Sequence, residues 1–180
     1  MNNLQKKFRE KIVPELMKEF GHKNSISVAK PEKVSINVGL SKAANNPHFI
    51  EDVISDLKLI TGQAPVKTKA KKAISGFKIR ENQEVGVVVT LRGKRMWDFI
   101  ERLVDTAIPR IRDFQGIDSK NFDKQGNFSY GIKEQIVFPE ISHDDVNTIF
   151  GFQINVKNTA TNREEGIRLL KLLGFPIKEA

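Results

Sequence analysis

Residues 65–80 carry six lysines or arginines and no acid: Lys67, Lys69, Lys71, Lys72, Lys78 and Arg80. The chain's formal net charge is +8, so this stretch alone holds a surplus of +6. Cations packed this densely neutralise phosphates, and the commonest polyanion met by a soluble protein is nucleic acid. Ala70, Ala73, Ser75 and Gly76 interleave with the cations and leave room for a phosphate backbone to approach the main chain. Six engaged phosphates would give a log–log salt slope of roughly −4 to −5. A solvated lysine-rich loop is the plain alternative. A nuclear-localisation signal over Lys67 to Lys72 is another, but such signals sit on exposed tails, and this run lies between a predicted helix and a predicted strand.

Other reactive residue types do not assemble a site. The absence of cysteine excludes disulfides, thiolate metal sites and thiol catalysis, and fits a reducing compartment. His22, His48 and His143 are far apart. His143-Asp144-Asp145 has metal-binding residue types, but neighbours on an extended segment do not converge, so it reads as a polar turn. Glu51-Asp52 reads as helix surface charge. No phosphate-binding loop, zinc-protease helix or nucleophile elbow occurs. The reading is a non-enzyme with no catalytic residue, metal or cofactor. The enzymatic alternative, a metal-dependent hydrolase using Asp144 and Asp145, predicts turnover abolished by Asp145→Ala.

The bulk composition agrees. A chain of 180 residues suits one domain that buries roughly 70% of its unfolded surface. Hydrophobic content of 39% with 29% charge excludes wholesale disorder. No apolar run approaches the roughly 20 residues a membrane span needs, and the N-terminus, alternating charged and apolar residues, is no secretory signal. A pI of about 9.7 favours nucleic acid over an anionic membrane surface.

The elements that must hold the cations follow from periodicity. Leu4, Phe8, Ile12, Leu16, Met17 and Phe20 mark a helix over 3–20, kinked or split at Pro14 and stopped by Gly21. Residues 33–40 alternate, with Val34, Ile36, Val38 and Leu40 on one face and Ser35, Asn37 and Gly39 on the other. Asn46-Pro47 opens a helix whose stripe is Phe49, Ile50, Val53, Ile54, Leu57 and Ile60, ended by Gly62. Residues 65–71 read as extended, with Lys67, Lys69 and Lys71 on one face and Val66, Thr68 and Ala70 on the other. After a loop at 72–84 comes a buried strand at 85–91. A helix then uses Met96, Phe99, Ile100, Leu103, Val104 and Ala107 and ends before Pro109. Residues 113–131 form a long aperiodic loop, and a strand follows at 132–138. Residues 151–157 form a strand with Phe152, Ile154 and Val156 inward. Thr161 and Glu164 have capping-box spacing before a helix that uses Ile167, Leu170 and Leu173 and closes at Gly174 and Pro176.

The core order is βαββαβ, the split arrangement of ferredoxin-like α+β folds, with an N-terminal helix and a long loop insertion added. No repeat and no linker marks a second domain, so residues 1–180 read as one. Helices cover one sheet face. The open face is expected to gather Ser35, Asn37, Lys67, Lys69, Thr90, Arg92, Gln153, Asn155 and Lys157. It has no aromatic platform for stacking single-stranded bases, which favours shape recognition of structured RNA.

The run Val89-Thr90-Leu91-Arg92-Gly93, then Met96, Phe99 and Pro109-Arg110-Ile111-Arg112-Asp113-Phe114, resembles the universal large-subunit ribosomal protein family that binds 5S rRNA (large-subunit protein five, bacterial type). Gly62, Pro65, Thr68, Ala70, Ser75, Phe77-Lys78 and Arg80 extend the pattern upstream. Gly116, Phe122-Asp123, Gly126-Asn127, Gly131, Glu134-Gln135, Phe138-Pro139-Glu140-Ile141 and Gly174-Phe175-Pro176 extend it downstream, so it spans essentially the whole chain in order. The resemblance implies an antiparallel sheet with helices on one side. It implies a structural protein of the cytoplasmic ribosome that attaches 5S rRNA in the central protuberance of the large subunit. Implied partners are 5S rRNA, P-site tRNA, small-subunit protein thirteen across an inter-subunit bridge, 23S rRNA and other central-protuberance proteins, with no membrane.

By the same resemblance Asn37, Gln63, Thr68 and Thr90 fall at 5S rRNA contact positions, joined by the cations Lys67, Lys69, Lys71 and Arg92. Lys72, Ser75, Phe77, Lys78 and Arg80 lie on the loop expected to face tRNA. The opening stretch thus divides into a strand, Lys67 to Lys71, with lysines on the open side, and an arm, Lys72 to Arg80, toward tRNA. The chain departs from the family at Asn82-Gln83-Glu84, where a glycine-containing turn is usual, and at Phe152-Gln153, where Met-Asp is usual.

Overall fold

The structure, a computed structural model, describes residues 3–40, 47–77, 79–142, 146 and 148–178. Asn46, Lys78 and His143-Asp144-Asp145, all used in the sequence reading, lie outside the described residues. Five strands form one sheet: β1 (Pro31–Gly39), β2 (Val66–Lys69), β3 (Glu84–Leu91), β4 (Phe128–Ile132) and β5 (Phe152–Asn158). Their order is β2-β3-β1-β5-β4. Without β4 this is the strand order of a split βαβ sheet, and β4 adds an edge beside β5. The helices are α1 (Asn3–Lys7), α2 (Val13–Phe20), α3 (Pro47–Thr61), α4 (Gly93–Arg102) and α5 (Arg163–Leu172). Chain contacts divide these elements into two compact units, one of Met1–Val34, Leu91–Tyr130 and Asn155–Ala180, the other of Ser35–Thr90 and Gly131–Ile154.

In the first unit α1 and α2 form a continuous helical run through a π turn at Phe8–Ile12. The Val13 N–H donates to the Phe8 carbonyl, five residues back. That wider turn accommodates Pro14, which has no N–H and whose ring would crowd the Glu10 carbonyl in a regular α-helix. Gly21, left-handed at φ 67°, ends the run. Phe8 packs on Trp97 of α4 with ring centroids 5.2 Å apart. The α4 helix does not stop before Pro109. It continues through a π turn at Leu103–Ala107 and a 3-10 turn at Ile108–Arg110. Pro109 sits at the start of that last turn, where a missing N–H is tolerated.

Residues 113–131 are packed rather than a free loop. Ile117, Phe122 and Phe128 are buried. Ile117 is tied to the C-terminal segment through its N–H to Pro176 O and its O from the Lys178 N–H, both 2.9 Å. Asp123 accepts hydrogen bonds from the Gln125 and Asn127 N–H groups and the Asn127 side chain. Burial works to raise its pKa, and the Asn127 and Gln125 bonds outweigh that and hold the carboxyl below aspartate's ordinary value. The α5 cap also differs from the sequence expectation. The N-cap residue is Asn162, and Glu165, not Glu164, reaches back to accept from the Thr161 N–H at 3.0 Å. Glu165 is buried and also holds His22 Nε2 at 2.9 Å, which makes it the better partner.

In the second unit, Ile50, Val53, Leu57 and Ile60 of α3 and Ile36, Val38, Val87 and Val89 of the strands are buried. Gly62, at φ 65°, ends α3. The strand expected at 132–138 is displaced: β4 ends at Ile132 and a 3-10 turn occupies Gln135–Val137. The reason is Gln135, which is fully buried. Its Oε1 accepts the Phe150 N–H at 2.9 Å and its Nε2 donates to Thr148 O at 2.6 Å, so a side chain satisfies backbone groups that a strand ladder would otherwise pair.

The same amide donates to Asp56 Oδ2 at 3.4 Å. Burial pushes the Asp56 carboxyl above its ordinary 3.8, against the Gln135 hydrogen bond. A raised folded pKa means the folded state holds the proton longer than the unfolded chain. Stability from this group is therefore full below the unfolded pKa and falls as pH rises through the folded one. Asp56→Asn keeps an acceptor for Gln135 and removes the charge. It is expected to raise stability near pH 7 by under about 1 kcal/mol, because the group is largely solvated. Denaturant melts should show the gain closing as pH falls to about the unfolded aspartate value.

Candidate nucleic-acid interface

The basic stretch begins in β2, which pairs antiparallel with β3. Val66 lies opposite Val88, Lys67 opposite Val87 and Thr68 opposite Gly86. Directly paired residues share a sheet face. Val87, Val89 and Leu91 are buried, so their face is the covered one. Lys67 and Lys69 therefore stand on the covered side, at the sheet edge, and Thr68 stands on the open side. This reverses the expected sidedness of the strand. Lys67 is ion-paired with Glu84 at 3.0 Å. The strand also ends sooner than expected: the register shifts between Thr68 and Lys69, and Lys71 lies beyond β2, exposed. Strand periodicity defined two faces, but only the register with β3 says which is which.

The open face of this unit is built around Gly86. A Cβ there would meet Thr68 Oγ1 at 2.7 Å, Val38 O at 3.1 Å and Asn37 Oδ1 at 3.8 Å. Asn37 and Thr68 thus converge over the buried Gly86 backbone, in the space a side chain there would take. Further along β3, Thr90 is exposed, and its carbonyl accepts from Gln63 Nε2 at 3.1 Å. The four residues placed at RNA contact positions by resemblance, Asn37, Gln63, Thr68 and Thr90, all belong to this one unit. Gly86 was missed in the sequence reading, although glycine inside a β-branched strand signals a close backbone approach.

Beyond β2 and β3 the chain continues as a narrow hairpin. The Ala70 N–H donates to Gln83 O and the Asn82 N–H to Ala70 O, each at 2.9 Å. Ile74 and Ile79 form a further antiparallel bridge, with a 3-10 turn at Ser75–Phe77 between them. Lys71, Lys72, Ser75, Phe77 and Arg80 are exposed, Phe77 to 76%. Asn82 has φ 63°, the left-handed conformation that favours glycine. Asparagine tolerates that region best after glycine, so Asn82 can make this turn where the family pattern leads one to expect a glycine.

In the first unit, Arg92 is exposed at the N-cap of α4. Lys157 of the same unit is exposed on β5, and Val156 beside it is buried as expected; in the part of β5 that belongs to the second unit Gln153 is exposed, and Phe152 and Ile154 are buried as expected. Among the described residues no group of three His, Asp or Glu side chains could hold a metal ion. No described helix is long and apolar enough to cross a membrane.

What the arrangement can do is offer amide, hydroxyl and carbonyl groups beside cations, suited to phosphate and ribose contacts. Residues 24–80 match the family model described as ribosomal protein L5, and residues 84–177 match the model for the C-terminus of the same ribosomal family. The large ribosomal subunit protein uL5 of Clostridium perfringens (strain 13 / Type A) is 47% identical over 179 residues, covering 99% of this chain and 100% of that protein. The proteins of the same name from Trichodesmium erythraeum and Geotalea daltonii are 50% and 46% identical, covering 98% and 99% of each chain respectively. This chain thus belongs to the ribosomal protein L5 family and is a structural, non-enzymatic constituent of the large ribosomal subunit.

Proposed function

We propose that the protein binds 5S rRNA through the open face of the Ser35–Thr90 unit and helps attach it in the central protuberance. The supporting observation is the convergence of the Asn37 and Thr68 side chains over the buried backbone of Gly86. A side chain at Gly86 would push them apart. Without one, the two polar side chains lie together where an RNA backbone can meet both. Lys71, exposed beyond β2, supplies a phosphate contact, while Lys69 and Arg92 are assigned to rRNA on the family resemblance. The 70–83 hairpin, with Lys72, Ser75, Phe77 and Arg80 exposed, is the part we assign to P-site tRNA. The contact with small-subunit protein thirteen, and those with 23S rRNA and neighbouring proteins, rest on family resemblance.

The test is competition at physiological salt. Purified protein is expected to prefer 5S rRNA over an unrelated structured RNA of equal length by at least about 10³-fold, the lower bound for specific nucleic-acid recognition. Equal affinities would replace this reading with that of a general RNA-annealing protein.

A further inference from the structure

Glu32 breaks the alternation of β1. Val34, Ile36 and Val38 are buried, and Glu32, of the same parity, is exposed. Its two carboxylate oxygens are divided between two cations: Oε2 lies 2.8 Å from Lys157 Nζ and Oε1 lies 3.9 Å from Arg92 Nη1. All three side chains are 39–59% exposed. Ion pairs this open to solvent contribute little to folding, so fold stability gives no strong reason for the cluster. Two cations about one two-oxygen anion is the arrangement they would adopt around a phosphate. The hydrogen bond from Lys157 and the nearby charge hold the carboxyl below its ordinary range, so it stays ionised at neutral pH.

We propose that the Glu32 carboxylate occupies Arg92 and Lys157 in the free protein as a stand-in for an RNA phosphate, and thereby suppresses binding of non-cognate RNA. An RNA must displace Glu32 to use both cations. A cognate RNA whose shape sets a phosphate between Arg92 and Lys157 replaces the carboxylate in kind. A non-cognate RNA, held by charge alone, gains less than it displaces. This builds on the RNA-binding reading above and adds selectivity to it.

The experiment compares the wild-type protein with Glu32→Gln and with Glu51→Gln, a charge-matched change on α3. Each is titrated with 5S rRNA and with a generic RNA duplex of similar length over a salt series. Glu32→Gln is expected to tighten duplex binding by about 3- to 10-fold and steepen its salt slope by about one, as one further phosphate is engaged. The gain on 5S rRNA should be smaller, so the preference narrows. No gain beyond Glu51→Gln, or an equal gain on both RNAs, overturns the proposal. Absence of any 5S preference in the wild-type protein would instead overturn the 5S reading, and the duplex titration would still report on Glu32.

Discussion

Gly166→Ala is expected to lower the melting temperature by about 6–12 °C, a loss of about 3 kcal/mol for a chain of this size. Gly166 lies inside α5, where helix propensity alone favours alanine by about 1 kcal/mol. Packing reverses the sign. A Cβ at Gly166 would sit 2.5 Å from Gly126 Cα and 2.8 Å from Gly126 C, and both obstacles are backbone. Gly126 cannot yield easily: it has φ 77°, and its carbonyl accepts from the buried Asn158 side chain at 2.8 Å. Gly131→Ala is the control, because its Cβ would meet nothing within 4 Å, and it should change stability by no more than about 0.5 kcal/mol. A calorimetric melt in which Gly166→Ala matches or exceeds wild type would mean that the close approach of α5 to Gly126 is not rigid.

That contact also marks where sequence reading stops. Elements whose residues repeat with a clean period were legible: β1 from Val34 to Val38, β5 from Phe152 to Val156, and the α3 stripe. Glycine and proline signals at Gly21, Gly62 and Gly174 also placed helix ends, because a left-handed φ at each is a local requirement. Errors arose where a distant partner decides. Gln135 falls inside the strand expected at 132–138, yet its amide is consumed by Thr148 and Phe150. Pro109 looks like a helix stop, yet the π turn before it changes the spacing so that a 3-10 turn can carry it. The candidate site divides the same way. Residue types were readable, and family resemblance named Asn37, Gln63, Thr68 and Thr90. The sidedness of β2 was not readable, because a four-residue strand with lysines at alternate positions fits either face until its register is known.

That reversal ranks the residues of the interface. Asn37→Asp is expected to weaken 5S rRNA binding by about 10- to 100-fold, while Lys67→Ala is expected to weaken it by less than about 3-fold. Asn37 is exposed on the open face, beside Thr68 and over the buried Gly86. The aspartate keeps its shape, removes its donor and sets a negative charge against phosphate. Loss of a hydrogen bond to a charged group is worth about 1.5–3 kcal/mol, or roughly one to two decades of affinity. Folding should be unaffected, since the side chain projects into solvent. Lys67, by charge alone, would be the stronger contact. It instead stands opposite Val87 on the covered side and is already neutralised by Glu84. Filter binding of both variants at one salt concentration, with melts to confirm the fold, decides the order. If Lys67→Ala proves the more damaging, RNA approaches along the β2 edge rather than the open face, and the cations rather than Asn37 and Thr68 define the interface.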